Sequence, residues 1–592
     1  MWRKVKNMNA IINRHYHKLV ISNLLILFLI VTFGMLLRNG SQNACPDWPT
    51  CYGNFHYPDT PIGQLHFWHR VLSAATYGLS LIIFLSAWKS RSYSRNIKWV
   101  AFLTFFILTL QVVFGWYVRE SGALIRGIHY LLAILALIST SLQYGLIKFS
   151  EKKSVNQYSL KPVILFLSSL LMVVMGILVS AFDADSFCSG FPICNPIFPE
   201  NPLGYLVVLH RLSVLLVFIS LIGLTRQAWE RAREDLFILL PTTVAFIIFI
   251  GQIFIGANQV LSPMRIEMFS LHAVLTAAYF IALGLALVGW RYGEISKIRA
   301  QKNLFNDSKR RKDLLQLNKP IIVALLLVTT YAGMIVAGKS MPGLELTIWT
   351  MIAGALAAGG SSAVNQFIDR RIDLSMQRTA QRPLPSGRMQ PAEALTLGIS
   401  EIIISFFIYV FFVNLLAAVL AMVGMFYYVV IYSLWLKHAT VQNIVIGGGA
   451  GAIPPLVGWA AVTGSLNVPA LFLFALIFLW TPPHFWALAI VRKNDYARAS
   501  VPMLPVIKGE KYTRIQIFLY TIQLVILTLV MPLFGLGGSL YFVLALILGG
   551  WILHSAWMVL KREGNKVAFK MYRYSSMYLV FIFLALVVDV LI

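Results

Sequence analysis

Four histidines recur in this sequence at intervals that suit two-sided ligation of an iron. His69-Arg70 returns as His210-Arg211 after 141 residues, and His129 returns as His272 after 143. Gln111-Val-Val-Phe-Gly115 returns as Gln252-Ile-Phe-Ile-Gly256 at 141, and the pair Cys45, Cys51 returns as Cys188, Cys194 at 143. Four markers in one order at near-constant spacing denote an internal duplication. The histidines fall in apolar stretches, where a polar side chain is costly without a partner and marks function by default. Any one of them alone is as readily a hydrogen-bonded core residue; two duplicated pairs are not. Two imidazoles on opposed helices hold a haem iron from both sides, and axial ligands set much of its chemistry. A zinc site needs a third or fourth ligand, and no inward Cys, Asp or Glu is evident. The cysteines are spaced C-x5-C and read as disulfides in an oxidising compartment, with a metal site as the alternative.

A second constellation lies far downstream. Asn365, Asp369 and Asp373 are spaced i, i+4, i+8 and so line one helix face. Converging carboxylates suit Mg²⁺, a hard cation that prefers oxygen and often bridges to a diphosphate. Arg378, Arg382 and Arg388 follow at once, the last two within RPLPSGR, and offer forked donors to phosphate oxygens. A solvated polar loop with routine ion pairs is the plainer alternative. The regular acidic series on an otherwise apolar helix end weighs against it.

The elements that must position these groups are membrane helices. Only 12% of the 592 residues are charged and 58% are apolar, with a mean hydropathy of +0.74; a soluble domain carries about 25% charged residues. Seventeen stretches have the roughly 20 apolar residues that a span needs, and backbone groups in hydrocarbon must pair within their own segment, which makes them helices. Barrel strands would alternate and be about half as long. The net charge of +26 does not denote nucleic acid, because the basic residues cluster between segments, as at Lys89, Arg91, Arg95 and Lys98, while loops 39–63 and 183–201 hold no Lys or Arg. That alternation is the positive-inside pattern. It predicts a multi-pass protein of a prokaryotic cell membrane with a cytoplasmic N-terminus and an external C-terminus, and no cleavable signal peptide is apparent. The expected organisation is a cytoplasmic stretch 1–18, an eight-helix region 19–290 made of two four-helix repeats, a basic cytoplasmic linker 291–319, and a nine-helix region 320–592.

The first half resembles haem A synthase: eight helices in two pseudo-repeats, the CPDWPTC loop, and histidines on helices two, four, six and eight. The resemblance implies that His210 and His272 ligate a resident haem b, and that His69 and His129 ligate the substrate, haem O. Many members carry a Glu three residues before the helix-two histidine; here His66 stands there, on the same helix face as His69, and either takes the carboxylate's place as proton acceptor or marks a chemistry that needs no acid at this position.

The second half, with NQFIDRRIDLSMQRTAQRPLPSGR, TPPHFWAL and DYARASVPMLPV, resembles the intramembrane aromatic prenyltransferases and among them protohaem IX farnesyltransferase, the haem O synthase. The resemblance implies farnesyl diphosphate and protohaem IX as substrates. Mg²⁺ would be held by Asn365, Asp369, Asp373 and Asp495, and the diphosphate also by Lys437, Arg492 and Lys493. The second acidic motif is thin, with Asn494 where relatives often carry Asp. His484 is either a haem contact or a structural histidine in a helix kinked by Pro482 and Pro483.

Together the halves imply consecutive steps, protohaem to haem O to haem A, with an electron acceptor the sequence does not name and a hand-off towards cytochrome oxidase assembly. The rivals are a dihaem cytochrome joined to a quinone- or chlorophyll-type prenyltransferase, and a non-enzymatic transport or electron-transfer protein.

Overall fold

The computed structural model describes the chain except residues 1, 38–44, 46, 48, 49, 52, 54–56, 119–121, 151–159, 262–265, 297–307 and 378; at 2–14 and 266–267 only the backbone is described. Arg378, expected at the diphosphate, therefore lies outside the described residues. Among the described residues there is no strand, only an isolated bridge between Ser189 and Asn195. Seventeen helices are long and apolar enough to cross a membrane, the number expected. The chain forms two compact units, Met1–Lys302 and Asn303–Ile592.

The first unit holds eight of these helices: α1 Trp2–Leu37, α2 Pro61–Lys89, α3 Arg95–Tyr117, α4 Ala123–Lys148, α5 Leu160–Ala181, α6 Gly204–Arg231, α7 Leu236–Leu261 and α8 Ile266–Tyr292. Local signals fix several starts. Thr60 caps α2 by accepting from the Gly63 N–H at 3.2 Å, with Pro61 in the first turn. Ser94 caps α3 in the same way through Ile97. The interior is mostly apolar, and where α7 and α8 cross, a Cβ on Gly289 would sit 2.0 Å from the Phe237 carbonyl oxygen. Such close approach is how membrane helices gain packing without a hydrophobic driving force.

The second unit opens earlier than 320. A short polar helix, α9 Ser308–Asn318, precedes α10 Pro320–Gly338, α11 Leu344–Asp373, α12 Pro391–Phe412 and α13 Leu415–Phe426. α9 packs on α11 and α12 rather than spanning as a free linker. The Leu317 carbonyl accepts from Ser362 Oγ at 3.0 Å and Gln366 Nε2 at 2.6 Å, Asn318 donates to Glu401 at 2.9 Å, and Arg310 pairs with buried Glu393. α13 runs straight into a π-helix, Tyr427–Leu436. That geometry is rare and gathers at functional sites. Beyond it, the helices Val468–Val491, Gly509–Val530, Ser539–Lys561 and Asn565–Leu591 share one apolar core around Leu473, Ile517, Tyr541 and Tyr578. Pro482 and Pro483 lie inside the first of these, which runs on through them.

Candidate functional site

In the first unit the duplication is visible atom by atom. His69 Nδ1 lies 3.1 Å from the Ile30 carbonyl oxygen, and His210 Nδ1 lies 3.1 Å from that of Met172, 142 residues on from residue 30. A carbonyl can only accept, so each ring carries its proton on Nδ1 and leaves the Nε2 lone pair for a ligand; this second contact is what orients a metal-binding histidine. Each histidine also faces a glycine. A Cβ on Gly34 would come within 3.1 Å of His69 Cε1, on Gly115 within 3.3 Å of His129, on Gly176 within 3.1 Å of His210, and on Gly256 within 3.8 Å of His272. The glycines clear the space in which the imidazoles sit.

The neighbouring arginines explain the His-Arg dipeptides. Arg70 donates to the carbonyls of Asp47, Thr50 and Cys45, and Arg211 to that of Pro192 while its guanidinium lies 5.8 Å from the Phe191 ring centre. One residue of each pair thus enters the chamber and the next ties down the loop above it. Those loops hold the disulfides Cys45–Cys51 and Cys188–Cys194, and no free cysteine is present among the described residues.

All four histidines and His66 line a single cavity of about 2240 Å³, more than twice the roughly 1,000 Å³ at the upper end of ordinary ligand pockets. Its walls are mostly apolar, as a porphyrin face requires. The two repeats differ at their fourth helices. Gln111 Nε2 sits 3.1 Å from His129 Nε2, whereas Gln252 turns to the His272 carbonyl (2.8 Å) and Thr276 and leaves the His272 ring alone.

In the second unit Asn365, Asp369 and Asp373 lie buried on one face of α11. Asn365 Nδ2 donates to Asp369 Oδ2 (2.9 Å) and to Ser433 Oγ (3.0 Å), and Lys437 Nζ is 2.6 Å from the same Asp369 oxygen. Ser433 lies in the π-helix and Lys437 at its end, so the widened turn brings both onto the acidic face. Arg382 Nη1 bonds Asp373 Oδ2 at 2.7 Å. Asp369 Oδ1 is buried without a hydrogen-bond partner, an orphaned acceptor that a cation would satisfy. The donor set fits Mg²⁺ in kind: hard oxygens beside basic groups.

Sequence reasoning missed Lys319. Its Nζ donates to Asn365 Oδ1 at 3.0 Å. Burial, with Arg382 and Lys437 nearby, lowers its ammonium to about 7, against the pull of Asp369 and Asp373. It sits at φ +49°, unusual for a side-chain-bearing residue, between anchored α9 and Pro320.

Other expected residues stand elsewhere. Arg388 is committed to Asp313 (3.0 Å), Gln316 (3.4 Å) and the Gln381 carbonyl (3.0 Å), so it clamps α9 instead of reaching the acidic face. Asp495 pairs with Arg498 and, at 3.9 Å, with Arg492, and lines a cavity of about 270 Å³ together with Met376 and Tyr572. Among the described residues no group of three or more acidic, Cys or His side chains is gathered as a metal cluster. Lys493 pairs with Glu510 at 3.3 Å. His484 is buried, bonded to Ser575 Oγ at 2.9 Å, stacked on Trp480 and packed at a tilt against Tyr572; a structural role accounts for all these contacts.

Comparison with known proteins divides the chain at the same place. Residues 17–284 match the family model described as cytochrome oxidase assembly protein, and residues 326–584 that of the UbiA prenyltransferase family. A protein named protoheme IX farnesyltransferase from Roseiflexus sp. (strain RS-1) is 50% identical over 279 residues, covering 47% of this chain and 52% of its own; the match thus spans about half the length of that relative. Proteins of the same name from Chloroflexus aurantiacus and Thermus thermophilus are each 33% identical, covering 96% and 95% of this chain and 97% and 96% of theirs.

Proposed function

Because the chain belongs to the protohaem IX farnesyltransferase family, in the form that carries both matched regions, we propose that it is a two-step haem-modifying enzyme of a prokaryotic cell membrane. Its second unit farnesylates protohaem IX to haem O, and its first oxidises a ring methyl of haem O to the formyl group of haem A. The N-terminus lies in the cytoplasm and the disulfide loops outside.

In the second unit Asn365, Asp369 and Asp373 would hold Mg²⁺, which supplies charge to the departing diphosphate. Lys319, Lys437 and Arg382 now neutralise that face, and they would turn to the phosphate oxygens as farnesyl diphosphate arrives. Stabilising charge that develops on the leaving group favours breaking the allylic C–O bond. A vinyl group of protohaem captures the allylic cation, and water completes the hydroxyethylfarnesyl side chain.

In the first unit His210 and His272 would hold a resident haem b, and His69 and His129 the haem O substrate; the glycine clefts and the free Nε2 lone pairs of His69 and His210 fit that group. Haem b supplies a redox centre when bound. The contrast at the fourth helices supports the division. Gln252 leaves the His272 ring to a bound ligand, whereas Gln111 is bonded to the His129 ring and must turn away when a ligand enters. His66, one turn from His69, would accept a proton as the methyl is oxidised.

The observation that carries the reading is the pairing of a four-histidine chamber with an acidic, base-lined prenyltransferase face in one chain. The test is to supply membranes with protohaem, farnesyl diphosphate and Mg²⁺ and identify the prenylated acceptor. A prenylated quinone would favour the dihaem-cytochrome rival, and no turnover the non-enzymatic one.

A further inference from the structure

Asn23 is 1% exposed, and neither atom of its amide has a hydrogen-bond partner. A buried polar group left without a partner is destabilising, so a membrane helix keeps one where water or a ligand satisfies it. Thr76, also 1% exposed, has an unpartnered hydroxyl and lines the chamber of His69 and His129. Helix register sets the two at similar depth. α1 and α2 run antiparallel: Ile30 meets His69 at one end, and Tyr16 and Val20 pack with Ile83 and Ala87 towards the other. Asn23 therefore falls beside the turn Thr76–Ser80, and Ser80 is buried too.

Seven residues further along α1, about 10 Å at 1.5 Å per residue, the Tyr16 hydroxyl accepts from Gln143 Nε2 at 2.7 Å. The Tyr93 ring lies 4.6 Å from that of Tyr16, with a buried, unpartnered hydroxyl, in the basic loop between Lys89 and Arg95. Polar groups thus descend from the chamber to the face of the basic loops.

The second repeat is the internal control. At the equivalent places, Leu165 stands for Asn23, Val217 for Thr76, Leu221 for Ser80 and Ala286 for Gln143, and all four are buried. At these four positions the second repeat packs apolar side chains instead. They belong to the repeat assigned to the substrate.

We propose that this seam holds ordered water and conducts protons from the first-repeat chamber to the cytoplasmic face. The proposal rests on the oxidase reading. In each two-electron step one C–H bond of the methyl carbon is replaced by a bond to the oxygen of water. Two protons and two electrons leave; the electrons pass to a membrane-soluble acceptor of the quinone class. The protons are left in a mostly apolar chamber, and the seam carries them to the cytoplasmic face through water held by Thr76, Asn23 and Tyr16.

The test uses the full chain in a host without other haem O or haem A enzymes. Asn23→Leu should lower haem A formation at least tenfold while haem b content and haem O capture stay at wild-type levels, and Thr76→Val should lower haem A formation as far. Asn23→Ser, which can still hold water, should stay within twofold of wild type. A structural role predicts instead that Asn23→Leu harms folding; on this account the melting temperature is unchanged, as the buried Leu165 at the equivalent place in the second repeat suggests. Radiolytic footprinting needs no turnover: in the resting wild-type protein, internal water should label Tyr16 and Tyr93, and in Asn23→Leu the label should vanish. Wild-type haem A rates in both apolar variants, or unlabelled tyrosines in the wild type, would overturn the seam. Absence of haem A from the wild type itself would remove the oxidase reading, with footprinting still deciding whether the water is there.

Discussion

Gly34 stands so close to His69 that a Cβ there would lie 3.1 Å from the imidazole Cε1. Gly176 stands the same way to His210, so the two repeats give a matched pair of experiments. A valine at either position must push the ring out of its rotamer or away from the carbonyl that orients it. Gly176→Val should cut the haem b that purifies with the protein to less than a third. Gly34→Val should leave that haem in place and reduce haem O capture. Optical spectra with pyridine haemochrome quantitation distinguish the outcomes, and equal loss from both variants would contradict the division of labour.

Prenyl transfer should depend on divalent metal and on both aspartates. EDTA should abolish haem O formation and Mg²⁺ should restore it. Asp369→Ala and Asp373→Ala should each lower the rate at least 100-fold with the haem b spectrum intact, because the histidines lie in the other unit. Asp495→Ala should be milder, within about tenfold, since its carboxylate is held by Arg498 and Arg492. A collapse as deep as that of Asp369→Ala would return Asp495 to the metal site.

Lys319 should behave as a diphosphate-binding group. Lys319→Ala is expected to raise KM for farnesyl diphosphate about tenfold or more, with a smaller fall in kcat. Lys319→Arg should recover part of the affinity. Arg388→Ala should act indirectly, by loosening α9, and the double change with Lys319→Ala should cost little beyond Lys319→Ala alone. Steady-state kinetics at fixed protohaem decides, and full additivity of the two changes would show that Arg388 acts on its own.

Much of this was legible before any coordinates. The 141–143 residue repeat exposed the histidines, because duplication preserves spacing and spacing needs no geometry. The acidic face followed from i, i+4, i+8 on one helix. Lys319 was hidden because it lies 46 residues before Asn365, and only the docking of α9 through Leu317 and Asn318 brings it there. Ser433 and Lys437 meet Asn365 and Asp369 through a π-helix, and no pattern of period 3.6 predicts a π turn. Arg388 is the converse case: a guanidinium near an acidic motif suggests phosphate, while the structure pairs it with Asp313 and Gln316, contacts 72 to 75 residues away that no local motif signals. Gly34 and Gly176 share the repeat spacing, but glycine is common in membrane helices, and the signal emerges only once each faces a histidine.

The disulfides should be structural and lie outside. Without reductant, an impermeant thiol reagent applied to either side should label none of the four cysteines. After reduction, labelling should come from the outer side alone and in pairs. Arg70→Ala should loosen the Cys45–Cys51 loop and speed its reduction, with little effect on Cys188–Cys194. Labelling from the cytoplasmic side would reverse the proposed topology.

The central claim is that one chain performs two consecutive steps on haem, and pigment extraction tests it most directly. The protein is expressed in a host with no other haem O or haem A enzymes, and its haems are separated by chromatography and identified by mass. The wild type should yield haem A with some haem O. Asp369→Ala should yield haem b alone, and His69→Ala should stop at haem O. A wild type that makes neither haem O nor haem A, or a His69→Ala variant that makes haem A at the wild-type rate, would contradict the account.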